Sequence, residues 1–71
     1  MTMMMETSLT QIGEAAGAVW RLLDERGSMS VAKLVRELGL PRDLVMQAIG
    51  WLAREEKLLI DESRTKMVTL R

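Results

Sequence analysis

The sequence predicts a mainly α-helical domain with a small β-hairpin, and three observations carry this prediction. Segments between Gln11 and Lys57 repeat apolar residues at the 3.6-residue period of helices that pack on one face. After Lys57 the period changes to two, which is typical of paired strands with one buried face. The helical pattern is interrupted twice, at residues 27–30 and, as a short turn, at Gly39, Leu40 and Pro41. We therefore expect three helices followed by a hairpin.

Length and composition indicate one small domain with an aliphatic core. The chain has 71 residues, of which 48% are hydrophobic, and its only aromatic side chains are two tryptophans. It has no cysteine and no histidine, so neither a disulfide nor a zinc site built from the usual ligands can stabilise it. A domain of this size then depends on tight packing or on oligomerisation.

Charge and hydropathy argue against several classes of protein. Ten basic and ten acidic residues leave no net charge, whereas a strongly basic domain would have indicated nucleic acid. No apolar run approaches the ~20 residues that span a bilayer, and the N-terminus lacks the basic and apolar regions of a signal peptide. We expect a cytoplasmic protein without a membrane partner. Because the chain starts with Met and ends one residue after a strand-like run, we also expect a complete gene product.

The first ten residues contain four of the seven methionines and show no clear period. We expect residues 1–10 to form a flexible Met-rich tail, followed by one domain over residues 11–71. The alternative is that Met3 to Met5, which are flexible and apolar, pack on a partner.

The first helix is predicted from Gln11 to Arg26, and Gly27 is a natural C-terminal stop. Its apolar stripe consists of Ile12, Ala15, Ala16, Val19, Leu22 and Leu23. Gly13, Gly17 and Trp20 share one flank of this helix. Each glycine inside a helix costs roughly 1 kcal/mol relative to alanine, so a close approach is expected there. Either the wing or tail of the same chain packs into this notch, or a second subunit does.

The second helix is predicted from Val31 to Leu38, with Ser30 as its N-cap and a minimal strand at residues 28–30. Gly39 ends this helix, and Pro41 suits the first position of the next one. Two helices joined by a short turn that contains glycine form a helix-turn-helix.

The third helix is predicted from Pro41 to Lys57. Its core face consists of Val45, Ala48, Ile49 and Leu52, and the opposite face consists of Asp43, Gln47, Gly50 and Arg54. Leu44 and Trp51 share one flank. The hairpin follows: Leu58 and Ile60 alternate with outward residues, as do Val68 and Leu70, around a polar turn at residues 61–65.

Two stretches carry a family resemblance: IGEAAGAVWRLLDERG, residues 12–27, and SVAKLVRELGLPRDLVMQAIGWLAREEKLLI, residues 30–60. They resemble a family of small stand-alone prokaryotic winged helix-turn-helix proteins. The resemblance implies three helices plus a wing, a tendency to homodimerise and a regulatory role. The family typically has glycine where this chain has Glu56, which implies a left-handed backbone at the end of the third helix.

DNA binding is the function most often attached to this fold, and it supplies the first set of candidate residues. The DNA-contact candidates are Arg42, Gln47 and Arg54 on the third helix, with Arg64 and Lys66 on the wing. Residues 31–71 carry a net charge of +2 and residues 1–30 a net charge of −2. Asp43 on the same face would repel phosphates. The alternative is that these are ordinary solvated charges.

Contact with protein is the competing interpretation. The interface candidates are Gly13, Gly17, Trp20, Leu44 and Trp51, as a homodimer surface or a site for another protein. The alternative for Trp51 is a core position, folded back over the first helix beside Trp20 or the notch of Gly13 and Gly17. Catalysis is not expected, because histidine and cysteine are absent and no phosphate-binding glycine loop occurs. We expect no catalytic residue, metal or cofactor, and a DNA-binding regulatory homodimer or, alternatively, a protein-interaction module that uses Gly50 and Trp51.

Overall fold

A computed structural model describes residues 2–62 and 66–71, with side chains described for residues 10–62 and 66–71. The elements in chain order are α1 (Thr2–Arg26), β1 (Met29–Ser30), α2 (Val31–Leu38), α3 (Arg42–Arg54), β2 (Leu58–Asp61) and β3 (Met67–Leu70). The predicted fold, three helices with a wing, is confirmed. Met29 and Ser30 add a short third strand to the predicted hairpin.

The core is aliphatic and lies between α1, α2, α3 and the base of the wing. All four residues predicted for the core face of α3 are buried. The buried hydrophobic residues are Ala15, Ala16, Val19, Leu23, Met29, Val31, Leu34, Val45, Ala48, Ile49, Leu52, Leu58 and Val68. No polar or charged residue is buried among the described residues, so apolar packing is the main source of stability.

The sheet has the order β1-β3-β2, with both outer strands antiparallel to β3. Leu58 and Val68 are buried whereas Leu59 and Thr69 are exposed, so the predicted alternation is confirmed. The backbone N–H of Val31 donates a 2.9 Å hydrogen bond to the carbonyl of Lys66. This bond fixes the base of the wing to the start of α2.

The first helix is longer than the sequence predicts. It begins at Thr2, not at Gln11, and its 25 residues, about 37 Å of helix, account for the 39 Å long axis of the molecule. The prediction missed residues 2–10 because they lack an apolar period, although methionine, glutamate and leucine are good helix formers. The flexibility expected for this segment stays a prediction. No described helix, α1 included, combines the length and apolarity needed to cross a bilayer.

The third helix is shorter than predicted at both ends. Pro41 is its N-cap and not its first residue: the backbone is extended there (ψ 141°), and its carbonyl accepts a 3.1 Å hydrogen bond from the N–H of Val45. The helix ends at Arg54 instead of Lys57, because Glu56 turns into the left-handed conformation with φ 59°. This is the conformation that the family resemblance implied for Glu56.

The turn after α3 is a Schellman motif. The N–H of Glu56 donates to the carbonyl of Ala53 (3.0 Å), and the N–H of Lys57 donates to the carbonyl of Leu52 (2.9 Å). The motif satisfies carbonyls at the end of the helix, but its left-handed position favours glycine. A residue with a side chain costs about 1–2 kcal/mol there.

We predict that Glu56→Gly stabilises the protein by about 1 kcal/mol, because glycine relieves the strain but gains freedom in the unfolded chain. In thermal unfolding this corresponds to a rise of roughly 4–8 °C for a domain of this size. Glu56→Ala is the matched control, since it removes the exposed ion pair with Arg71 (3.5 Å) and keeps the strain. A fall in melting temperature for Glu56→Gly would contradict the prediction.

Candidate functional site

The side of α3 that faces away from the core is polar, and we call it the α3 outer face (Asp43, Gln47, Gly50 and Arg54). All four residues are exposed, because the buried residues of the helix occupy its opposite side. Arg42 is exposed in the first turn of the same helix. The structure therefore places Arg42, Gln47 and Arg54 together on the exposed part of one helix.

The basic side chains of α2 and α3 form no ion pair with a described residue. The ion pairs between described residues are Arg26–Glu37 (3.1 Å), Lys66–Glu62 (3.7 Å) and Arg71–Glu56 (3.5 Å). The basic residues outside these pairs on α2 and α3 are Lys33, Arg36, Arg42 and Arg54. Glu37 pairs with Arg26, so Asp43 is the one carboxylate of these two helices that has no ion pair with a described residue. The helix-turn-helix is thus locally positive in a chain of zero net charge.

Two of these charges also have a local explanation. Asp43 lies in the first turn of α3 and Arg54 in the last turn, where each complements the partial charge of the helix terminus. Asp43 therefore stabilises α3 whatever the outer face binds.

The wing contributes Lys66, and its other candidate, Arg64, lies outside the described residues. The side chain of Lys66 pairs with Glu62 at 3.7 Å, and both side chains are largely exposed. Such an exposed pair contributes little to stability and opens easily, so its lysine can exchange Glu62 for another anion.

Four of the five interface candidates lie together in one groove between α1 and α3. This groove, which we call the Trp groove, has a volume of about 470 Å³. Its lining residues are Gly13, Ala16, Gly17, Trp20 and Arg21 of α1, and Trp51, Leu52, Glu55 and Lys57 of α3 and the turn after it. The grouping joins two motifs that lie more than thirty residues apart in the sequence.

Neither tryptophan belongs to the core. Trp20 is 41% exposed and Trp51 is 48% exposed, and with Leu59 they are the large exposed hydrophobic residues of the described chain. The core position considered for Trp51 is therefore wrong, although Trp51 does lie in one groove with Trp20, Gly13 and Gly17, as the same alternative expected. Trp51 stands at the side of α3 and leaves half of its surface to solvent.

No described residue of the chain packs against the helical glycines of α1 closely enough to require them. A Cβ atom added to Gly13 or Gly17 would meet no heavy atom of the described residues within 4 Å, and the same holds for Gly50. Within the described residues, neither the wing nor Trp51 fills the notch over Gly13 and Gly17. The roughly 1 kcal/mol that each glycine costs in a helix therefore has no explanation within one described chain.

Leu44 is separate from the other interface candidates. It lines a second groove of about 320 Å³ with Gln11, Glu14, Ala15, Ala18 and Leu40. Leu44 and Trp51 point in nearly the same direction around α3, but they are about 10 Å apart along its axis. The residues of α1 that line the two grooves lie on opposite sides of that helix.

Sequence reasoning missed the charged rim of the Trp groove, formed by Arg21, Glu55 and Lys57. Arg21 follows Gly17 by one helical turn, and Glu55 follows Trp51 by the same interval. Extending the flank patterns by one turn would have identified both residues. Lys57 lies beyond α3, and only the observed Schellman turn places it at the rim.

Sequence comparison gives two matches that cover most of the chain. The family model described as "Winged helix-turn-helix domain (DUF2582)" matches residues 3–70. MJ1608, an uncharacterized protein of Methanocaldococcus jannaschii, is 38% identical over 66 residues, which is 90% of this chain and 94% of that protein. These matches confirm the resemblance found in the sequence.

Two solved structures share the fold. Protein BT2368 from Bacteroides thetaiotaomicron aligns with a TM-score of 0.77 and 32% identity, over 86% of this chain and 76% of that one. BpsR of Bordetella bronchiseptica, whose DNA binding is regulated by 6-hydroxynicotinic acid, aligns with a TM-score of 0.75 and 24% identity. The alignment covers 80% of this chain but only 42% of BpsR, so the likeness concerns the shared fold.

We predict that Gly50→Ala raises the free energy of unfolding by about 1 kcal/mol, because alanine is the better helix former and its methyl group meets open space. The matched control is Gly39→Ala. Gly39 also faces open space, but its φ is 66°, so alanine there should destabilise the protein. Urea unfolding of both variants measures the effect. A loss of stability in Gly50→Ala would show that another group packs on this side of α3.

Proposed function

The chain belongs to the winged helix-turn-helix family DUF2582, and we propose that it is a non-catalytic module that binds double-stranded DNA as a homodimer and regulates transcription. One observation carries the DNA-binding part: the basic side chains of α2 and α3 are exposed and have no ion-pair partner among the described residues. Protein cations that neutralise phosphates supply most of non-specific DNA affinity. Because prokaryotic DNA is cytoplasmic, the proposal includes a cytoplasmic location.

The dimensions of α3 suit the major groove. Its 13 residues form about 20 Å of helix, and the major groove, about 12 Å wide, admits a helix. Arg42 and Arg54 lie near opposite ends of α3, where they can meet phosphates. Gln47 lies between them, and glutamine can bond the edge of adenine with both atoms of its amide.

Neighbouring elements can add phosphate contacts to those of α3. Lys33 and Arg36 of α2 are exposed, and the ion pair of Arg26 with Glu37 removes a repulsive carboxylate from that helix. The bond between Val31 and Lys66 holds the wing beside α2. BpsR, a DNA-binding protein with the same fold, supports the class of function without identifying any contact in this chain.

Titration with a mixed-sequence duplex at several salt concentrations tests the proposal. We expect binding that weakens steeply with salt, with a Kd of roughly 10⁻⁴–10⁻⁶ M at physiological salt for non-specific sequence. Arg54→Gln should lower the salt slope by about 1. Arg71→Gln makes the same change in charge at a residue outside α2 and α3 whose side chain already pairs with Glu56, and should alter binding little.

Asp43→Asn should change the affinity for DNA in the opposite direction from Arg54→Gln. If the α3 outer face meets phosphates, removal of this carboxylate should strengthen binding, even though the helix loses a favourable charge in its first turn. Equal binding by wild type, Arg54→Gln and Asp43→Asn would show that DNA contacts a different surface. Absence of binding at low salt would overturn the DNA-binding proposal.

A second candidate function is a protein-interaction module that uses the face of Gly50 and Trp51. The observation that favours it is the 48% exposure of Trp51, since exposed tryptophan is enriched at interface hot spots. A wild-type chain that fails to bind DNA at low salt, but self-associates or binds another protein through Trp51, would favour this candidate.

A further inference from the structure

Gly50 leaves a gap in the middle of the α3 outer face. It follows Gln47 by three residues and precedes Arg54 by four, so the three positions are neighbours on successive turns of the helix. A Cβ atom at Gly50 would meet no heavy atom of the described residues within 4 Å, although alanine would be the better helix former. Packing within the described part of the chain therefore does not account for this glycine.

We infer that Gly50 is the point at which α3 comes closest to DNA, and that this close approach lets Gln47 bind the major-groove edge of an adenine. The inference rests on the DNA-binding part of the proposed function. The major groove is about 12 Å wide and about 8.5 Å deep, whereas a helix with its side chains is about 10–12 Å across. Such a helix enters deeply only where the side chains that point into the groove are small. Glycine, which has no side chain, brings the backbone of α3 nearest to the base pairs.

Gln47 is the one residue of the α3 outer face whose side chain both donates and accepts hydrogen bonds. The carboxylate of Asp43 only accepts, and the guanidinium of Arg54 only donates. In the major groove, adenine presents one acceptor, N7, and one donor, its N6 amino group. The amide of Gln47 complements both, so an A·T pair is the base pair that Gln47 recognises. Gly50 forms no such bond and acts as a positioning residue.

Selection from a pool of random-sequence duplexes tests the base recognition. We expect wild type to enrich an A·T pair at one position for each bound α3, and Gln47→Ala to lose this preference while its phosphate contacts remain. Gln47→Glu should prefer C·G there, since a carboxylate accepts from the amino group of cytosine. Replacement of the selected adenine by 7-deazaadenine, which lacks N7, should weaken binding by wild type about 5-fold or more and binding by Gln47→Ala little.

Side chains of increasing size at Gly50 test the close approach, with the duplex that wild type selects. Affinity should fall in Gly50→Ala and fall by about 10-fold or more in Gly50→Leu. The urea midpoint of unfolding should rise in both variants, because alanine and leucine are better helix formers than glycine. Opposite changes in affinity and stability distinguish a DNA contact from a packing defect. Gln11→Leu is the control, since it places an exposed leucine on α1 without a change in charge and should leave affinity unchanged.

Two kinds of result overturn the inference and leave the proposed DNA binding intact. In the first, wild type binds duplex with a steep dependence on salt but enriches no A·T pair, or Gln47→Ala retains the preference. In the second, Gly50→Leu binds as tightly as wild type, or Gln11→Leu loses as much affinity as Gly50→Leu. Absence of wild-type binding at low salt is a separate outcome, because it overturns the DNA-binding proposal itself and this inference with it.

Discussion

The packing of α1 across α3 is the interaction on which the other features depend. Val19 is fully buried at this contact and Ile49 is 1% exposed. No disulfide can support the fold, since the chain has no cysteine, and packing of aliphatic residues supplies the stability instead. The same contact fixes the rotation of α3 about its axis. Because one side of α3 is buried against α1, the opposite, polar side of α3 is exposed to solvent.

Fixing α3 in this way creates two surfaces with different chemistry. The α3 outer face is polar and, together with α2, locally positive. The Trp groove lies at the flank of α3, where the helix meets α1, and it is apolar with a rim of mixed charge. A helix of 13 residues thus contributes Gln47 to one surface and Trp51 to the other. Substitutions on α3 should therefore separate into those that alter DNA binding and those that leave it unchanged.

Local patterns in the sequence predicted the parts of the structure that local forces determine. The helical period identified the buried face of α3, the two-residue period identified the wing, and Gly39 marked the end of α2 in a left-handed conformation. The start of α1 was missed because helix propensity without an apolar period gives no signal. Local patterns do not determine tertiary contacts. A position of Trp51 beside Trp20 was one alternative among several, and no pattern separates Leu44 from both tryptophans.

NMR of the labelled protein tests most directly whether the two surfaces are distinct. The side-chain amide of Gln47 reports on the α3 outer face, and the indole N–H groups of Trp20 and Trp51 report on the Trp groove. Addition of duplex DNA at constant protein concentration should move the signals of Gln47 and its neighbours on the α3 outer face and leave both indole signals in place. Separate surfaces would be contradicted if DNA moved the indole signals and left Gln47 unchanged.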